Sequence, residues 1–332
     1  MSAVIVVGAG IVGASVAYHL ARGGVPVTVL ERASAPATGV TGDSFAWIGE
    51  FSGDWPGGTQ DLRPHVRADF HRLESELPGF AVRWSGSLEW NGVPGPGQVL
   101  VGPDEIAVLE PRLLNPPARA VHTPTDGGVD PVAMTDALIR GARAHGAEVV
   151  YGAAAVSVNP PEGRGVMTSA GFYPAETVVL AAGVGSAALC RPLNVEIPFL
   201  DAPACLLRAT ASPGLIKTIL SGPDFEAREV RDGELVLTMP YTESPAQDAR
   251  ETLRRLASGL DDGDSCQLVS YHVCRRPMPA NGPIVGHVTA DRSVYVAVAH
   301  SAITLAPTLG RLIAAELTSG NPAGELRRCR MT

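Results

Sequence analysis

The 332-residue sequence predicts an α/β protein of two domains, one built on βαβ units and one a mixed sheet, interleaved along the chain. Three observations predict it. The apolar run AVIVV at 3–7 passes directly into GAGIVG and then into a helical pattern. Comparable strand–helix material returns around 135–190 and again at the C-terminus. Between these stretches lie Pro- and Gly-rich segments with short strand candidates. Segments 1–80, 130–195 and 270–332 are assigned to the first domain, and 81–129 and 196–269 to the second.

Taken in order, AVIVV is a strand buried on both faces, because it is uniformly apolar rather than alternating. A helix follows from Ile11 to Arg22 and stops at Gly23-Gly24. VPVTVLER is the second strand, ending at Glu31 and Arg32, and the three elements make a βαβ unit. Residues 33–60 read as loop, and Asp61 to Leu77 as a charged helix. Pro131 to His145 is helical, with Gly146 as its stop. GAEVVY, AAVSV and TVVLAAG are strands, followed by CLLRAT and ELVLTM in the second part, with a helix near Gln247 to Ser258. SVYVAVAH and a helix from about Thr304 to Thr318 close the chain, with Gly320 and Pro322 as terminators.

Composition narrows the function. Hydrophobic residues make up 45% and charged residues 18%, which excludes a disordered chain. A net charge of −8 excludes an extended nucleic-acid surface. The five cysteines, Cys190, Cys205, Cys266, Cys274 and Cys329, contain no CxxC pair and predict reduced thiols in a cytoplasmic protein without a metal site. The apolar start lacks a basic leader, its first positive charge being Arg22, and no other stretch reaches the roughly 18 apolar residues of a membrane span.

Gly8, Gly10 and Gly13 form GxGxxG at the strand–helix junction. The first glycine allows the tight turn, the second lets a pyrophosphate approach the backbone, and the third lets helix and strand pack closely. The helix start at Ile11 and Val12 offers free N–H groups and partial positive charge to phosphates. Glu31, at the end of the next strand with Arg32 beside it, is placed to accept ribose hydroxyls and to repel a 2′-phosphate. A Rossmann-like site for an ADP-containing dinucleotide follows, with FAD and NAD not separated by this motif.

Four further segments resemble the glycine oxidase, D-amino-acid oxidase and monomeric sarcosine oxidase family of flavoenzymes. They are TGVTGDSFAWIG (38–49), DGGVDPVAMTDALIRGARAHGAEV (126–149), TVVLAAGVGS (177–186), and the pair RRPMPANGPIVG (275–286) with VYVAVAHSAITLAPTLGRLIAAEL (294–317). The resemblance implies FAD, held non-covalently, on a Rossmann-like FAD-binding domain with a mixed-sheet substrate domain covering the flavin. It implies cofactor contacts at Thr41, Ser44, Phe45, Ala46 and Trp47 in the first segment. It adds Ala155, Ala182 and Gly183, and then His300, Ser301, Ala302, Ile303 and Thr304 at the mouth of the last helix. Cys274 falls where sarcosine oxidases attach flavin covalently, a less favoured alternative here because most buried cysteines are inert.

On the substrate side, Arg276 precedes Pro277 as the family's carboxylate-binding arginine does. A planar guanidinium can grip a carboxylate with two parallel hydrogen bonds. If YHVCRR is a strand, His272, Cys274 and Arg276 share one face. Tyr241 and Arg228 are further candidates for substrate contact. Two features depart from the family. Ala299-His300-Ser301-Ala302 replaces a longer loop that carries a second substrate arginine, and the sole lysine, Lys217, does not match the lysine that activates oxygen in sarcosine oxidases. The expected reaction is oxidation of an amine bearing a carboxylate, such as glycine, an N-substituted glycine or a D-amino acid, with O2 as the final acceptor. A dehydrogenase that passes electrons to a carrier, and a dinucleotide-binding module without chemistry, are the alternatives.

Overall fold

The computed structural model describes residues 2–49 and 56–331, so positions 50–55 of the expected 33–60 loop lie outside the described residues. One eight-stranded sheet runs Ile284–His287, Val294–Val298, Gly171–Leu180, Ser2–Val7, Val27–Leu30, Glu148–Val150 across its width. Its neighbours pair parallel except the first two, which are antiparallel. Ala155–Val158 and Gly165–Thr168 branch from it as an antiparallel meander on Gly171–Leu180. The AVIVV pattern explains this central position. Val4 and Val6 enter one buried cluster with the helices Ile11–Arg22, Pro131–Ala144 and Ala302–Ser319, while Ile5 and Val7 enter another on the opposite face. A strand with two buried faces has no polar side to alternate with.

The helices end where their caps dictate. Asp130 accepts from the N–H groups of Val132 and Ala133 and starts Pro131–Ala144, with Pro131 in the first turn where no N–H is needed. The expected single helix over 61–77 is instead Thr59–Leu62, a 3-10 turn Arg63–His65, and Val66–Glu76. Pro64 sits at that break, since it has no N–H to give the helical ladder.

The second eight-stranded sheet runs Gln267–Arg275, Pro203–Thr210, Glu234–Met239, Glu226–Arg231, Ile219–Ser221, Ser87–Trp90, Ala120–Thr123, Val99–Val101. All pairs are antiparallel except Ile219–Ser221 with Ser87–Trp90. Because the last strand of this sheet extends to Arg275, the chain returns to the first sheet only beyond that residue. Leu207, Leu237, Ala227, Leu220 and Leu88 are in register across five strands and pack outward with Ala249, Leu253 and Leu256 of the Pro245–Ser258 helix. The adjacent row, one residue along each strand, therefore faces inward.

Candidate active site

The phosphate-binding turn is built as its spacing predicts. Gly8 has φ +105°, and a Cβ there would lie 2.7 Å from the Ala181 carbonyl oxygen. The strand end carrying Ala182 and Gly183 thus packs directly on the turn, with Gly183 itself at φ +56°. Gly10 caps the Ile11–Arg22 helix without any side-chain cap. Thr41 Oγ1 accepts from the Ile11 N–H at 3.2 Å, which brings the 41–47 loop to the helix start. Glu31 is buried and accepts from the Ala9 N–H at 2.7 Å and the Ala33 N–H at 2.9 Å. It therefore braces the turn, and its carboxylate still has lone pairs for hydroxyl donors. Arg32 is exposed beside it. Ala153 N–H bonds to the Glu31 carbonyl, and Ala155 opens its strand two residues further on.

A cavity of about 440 Å³ reaches from Ile11, at the helix start after this turn, to Arg276, while Gly8, Gly10, Gly13 and Glu31 are not among its lining residues. Ile11 and Thr41 line it, as do Ser44, Phe45, Ala46 and Trp47 of the loop and His300 to Thr304 of the last helix's start. Tertiary bonds hold the loop in place. Trp47 Nε1 donates to Asp126 at 2.9 Å, Trp47–Ile48 pairs with Gly127–Gly128, and Thr304 Oγ1 donates to the Trp47 carbonyl at 2.9 Å. The GGVD stretch thus serves two elements, one through its Asp126–Gly128 edge and one through the Asp130 cap.

Arg276 lines the cavity, with its N–H on the Ala202 carbonyl at 3.1 Å. Among the described residues its guanidinium forms no ion pair with a carboxylate. His272, Cys274 and Arg276 do share the face turned to the cofactor loop. His272 Nδ1 lies 3.2 Å from Asp43, and Cys274 Sγ lies 3.9 Å from the Asp43 carbonyl. Burial and the Asp43 carboxylate push the Cys274 thiol up, which disfavours the reactive thiolate. Burial, reinforced by the Arg276 charge, holds His300 down at about 4, so its imidazole is neutral at physiological pH.

Two substrate candidates are corrected. Arg228 is 2% exposed and lines no cavity wall. Its guanidinium donates to the Phe45 carbonyl at 2.6 Å and the Val129 carbonyl at 2.7 Å and stacks on the Phe45 ring. It is a clamp on the cofactor loop, and Gly128 leaves room for it, since a Cβ there would lie 2.7 Å from Arg228 Nη1. Tyr241 is 52% exposed outside the cavity, because the strand ends at Met239 and Pro240 turns the chain away. Lys217 is exposed and outside the cavity, and its backbone N–H is held by the buried Glu110.

Sequence reasoning missed the inward row of the second sheet. Leu206, Thr238, Glu226, Ser221 and Glu89 are in register across five strands and all line the cavity. Each strand contributes one residue, so no motif marks the set. The linear signal is weak, because Arg208, Arg228 and Ser87 also place polar side chains at inward positions of these strands.

The residues present fit FAD. Gly10 presents no side chain of its own where a pyrophosphate would approach, and at the helix start Thr41 Oγ1 takes only the Ile11 N–H. A continuous cavity joins the helix start at Ile11 to Arg276. A family model described as DAO, FAD dependent oxidoreductase, matches residues 3–316. A glycine oxidase of Bacillus licheniformis is 28% identical over 355 aligned residues, covering 96% of this chain and 93% of that protein. The mitochondrial dimethylglycine dehydrogenase of Mus musculus is 29% identical over 219 residues, covering 59% of this chain and 25% of that protein. The crystal structure of glycine oxidase from Geobacillus kaustophilus shares the fold, with a TM-score of 0.86 at 21% identity over 100% of this chain and 98% of that one.

Proposed function

Because the chain belongs to the DAO family of FAD dependent oxidoreductases, we propose that it oxidises the Cα–N bond of an amine bearing a carboxylate, with O2 as final acceptor. Glycine, an N-substituted glycine and a D-amino acid are the substrate classes. Bound FAD supplies the two-electron acceptor for the Cα hydride. The observation that carries the reading is Arg276, a cation opening on the same cavity as the cofactor loop and matched by no carboxylate among the described residues. Its fork would hold the substrate carboxylate and fix the Cα–H in one direction. Neutral His300 would accept or donate a hydrogen bond near the amine without repelling it. Phe45, Trp47 and the 299–305 turn cover the cavity and limit water there. The product imine is then hydrolysed to the carbonyl compound. We further propose that the first sheet with its helices is the FAD-binding domain and the second sheet the substrate domain.

A second reading, transfer of electrons to a carrier rather than to O2, is favoured by one observation: the single lysine is exposed and outside the cavity. Oxygen uptake measured against reduction of an artificial dye separates the two.

The test of the main reading is anaerobic bleaching of the flavin by glycine, sarcosine and D-alanine, with the corresponding decarboxylated amines as controls. Carboxylate-bearing amines should bleach it. Arg276→Ala should keep FAD bound and lose roughly 30- to 5,000-fold in kcat/KM, the equivalent of about 2–5 kcal/mol for a charge-assisted, partly buried contact. Arg276→Lys should recover only part of that loss, since an ammonium lacks the bidentate fork. Wild-type efficiency in Arg276→Ala would make the arginine structural and remove the carboxylate from the substrate definition.

A further inference from the structure

The inward row of the second sheet gives the cavity a second charged wall. Ser221 is in register with Glu226 on one side and with Glu89 on the other, and Glu226 is in register with Thr238. The order across the sheet is therefore Thr238, Glu226, Ser221, Glu89: hydroxyl, carboxylate, hydroxyl, carboxylate. All four line the cavity that Arg276 lines. Thr238 Oγ1 donates to Glu226 Oε2 at 3.2 Å, a partner that orients the carboxylate without neutralising it. Neither glutamate is within ion-pair distance of Arg276.

The arrangement is costly without a ligand of matching charge. Two carboxylates in the same row, with only Ser221 between them, repel each other, and burial of Glu226 adds a desolvation cost that one hydroxyl does not offset. Burial pushes the Glu226 carboxyl up, the Thr238 hydroxyl and the Arg276 charge pull it down, and Glu89 adds a smaller upward push. An apolar side chain entering this space would strip water from both carboxylates and return nothing. A cationic one would pair with both and with the two hydroxyls between and beside them.

We propose that the row Glu89–Ser221–Glu226–Thr238 binds a second, cationic group of the substrate, so that the preferred substrate is an amino acid with a basic side chain, its carboxylate on Arg276. This rests on Arg276 as the carboxylate anchor, and it narrows that reading to one substrate class. The rival use of the row, with Glu226 serving the reacting amine of every substrate, predicts a different pattern.

Redox-inert carboxylates discriminate, because they bind without turnover. The probes are pentanoate against 5-aminopentanoate and 4-guanidinobutanoate, titrated into the FAD-loaded protein and read by the shift in flavin absorbance and by calorimetry. The cationic probes should bind the wild type at least about 30-fold tighter than pentanoate, the span of a buried charge pair. In Glu226→Gln and in Glu89→Gln/Glu226→Gln, with FAD content confirming the fold, the ratio of the two dissociation constants should collapse toward one. In turnover, the preference for a basic over an aliphatic D-amino acid should collapse with it. A ratio near one in the wild type overturns the proposal, as does a ratio that survives the double substitution. So does a fall in turnover that is equal for basic and aliphatic substrates. If pentanoate binds and depends on Arg276 while the cationic advantage is missing, the carboxylate reading stands and only the basic-substrate class falls. If pentanoate binding is indifferent to Arg276→Ala, both fall together.

Discussion

A Cβ added to Gly10 would meet only Thr41 Oγ1, at 3.2 Å, whereas one on Gly13 would sit 2.0 Å from the Gly8 carbonyl oxygen. The φ of Gly10 is −74°, open to any residue, while Gly8 is at +105°. Three glycines of one motif are thus constrained for different reasons: Gly8 by backbone conformation, Gly13 by helix–strand contact, Gly10 by the space a pyrophosphate needs. Gly10→Val should therefore fold and lose FAD. The expected result is a colourless, cooperatively unfolding protein, and stoichiometric FAD in that variant would displace the cofactor from this turn. GxGxxG is legible in one line of sequence because its glycine spacing is local, even though its contacts reach Glu31, Thr41 and Ala181. Glu226 and Arg276 lie fifty residues apart and meet only across a cavity, so neither predicts the other.

At the scale of elements, Arg208 and His272 of the second sheet hold Gly42 and Asp43, and the rest of the 41–47 loop is fixed by groups from four further places. These are Thr304 of the last helix, Asp126 and Gly128 before the Pro131–Ala144 helix, the helix start at Ile11, and Arg228 of the second sheet. Arg228 ties the loop to the second sheet as Arg208 does, the two bonding the Phe45 and Gly42 carbonyls from strands of that sheet. Arg228→Met keeps the apolar stem but leaves the Phe45 and Val129 carbonyls without their donor. Stability should drop by about 2–4 kcal/mol and FAD affinity should weaken. Because the guanidinium lies outside the cavity, discrimination between carboxylate-bearing and decarboxylated amines should persist. Loss of that discrimination, with FAD still saturating, would return Arg228 to the substrate site. The resemblance of the loop segment to a known family implies which residues would contact cofactor. It did not indicate what holds them, because each clamp comes from a distant, differently patterned segment.

Across the whole molecule, pH sensitivity follows from histidines buried in neutral form. His19 Nδ1 donates to the Ser15 carbonyl at 2.8 Å, and Nε2 faces Arg72 Nη2 at 2.8 Å, so a second proton would confront a guanidinium. Burial, with Arg72 adding to it, holds His19 at about 4, and His300 is likewise at about 4. The unfolded chain takes up these protons near 6.5, the folded chain near 4. Stability from both groups is therefore complete above about pH 6.5 and declines as pH falls toward 4. Thermal or urea unfolding from pH 8 to 4 should show a plateau and then a decline of a few kcal/mol. His19→Gln should be less stable at pH 8 but show a shallower decline, and an unchanged slope would assign the acid sensitivity elsewhere. Among the described residues no helix is long and apolar enough to cross a membrane. The sequence by itself determined the βαβ opening, the dinucleotide turn, the order of most strands and helices, and Arg276 as the anchor to test. Each of these is written in local periodicity, in glycine spacing, or in a family segment read in one stretch. Only the tertiary structure decided that Arg228 clamps the loop, that Tyr241 faces solvent, and that Thr238, Glu226, Ser221 and Glu89 form one wall. Those outcomes depend on which strands become neighbours and in what register, and a side chain's facing is fixed by that pairing rather than by its own segment.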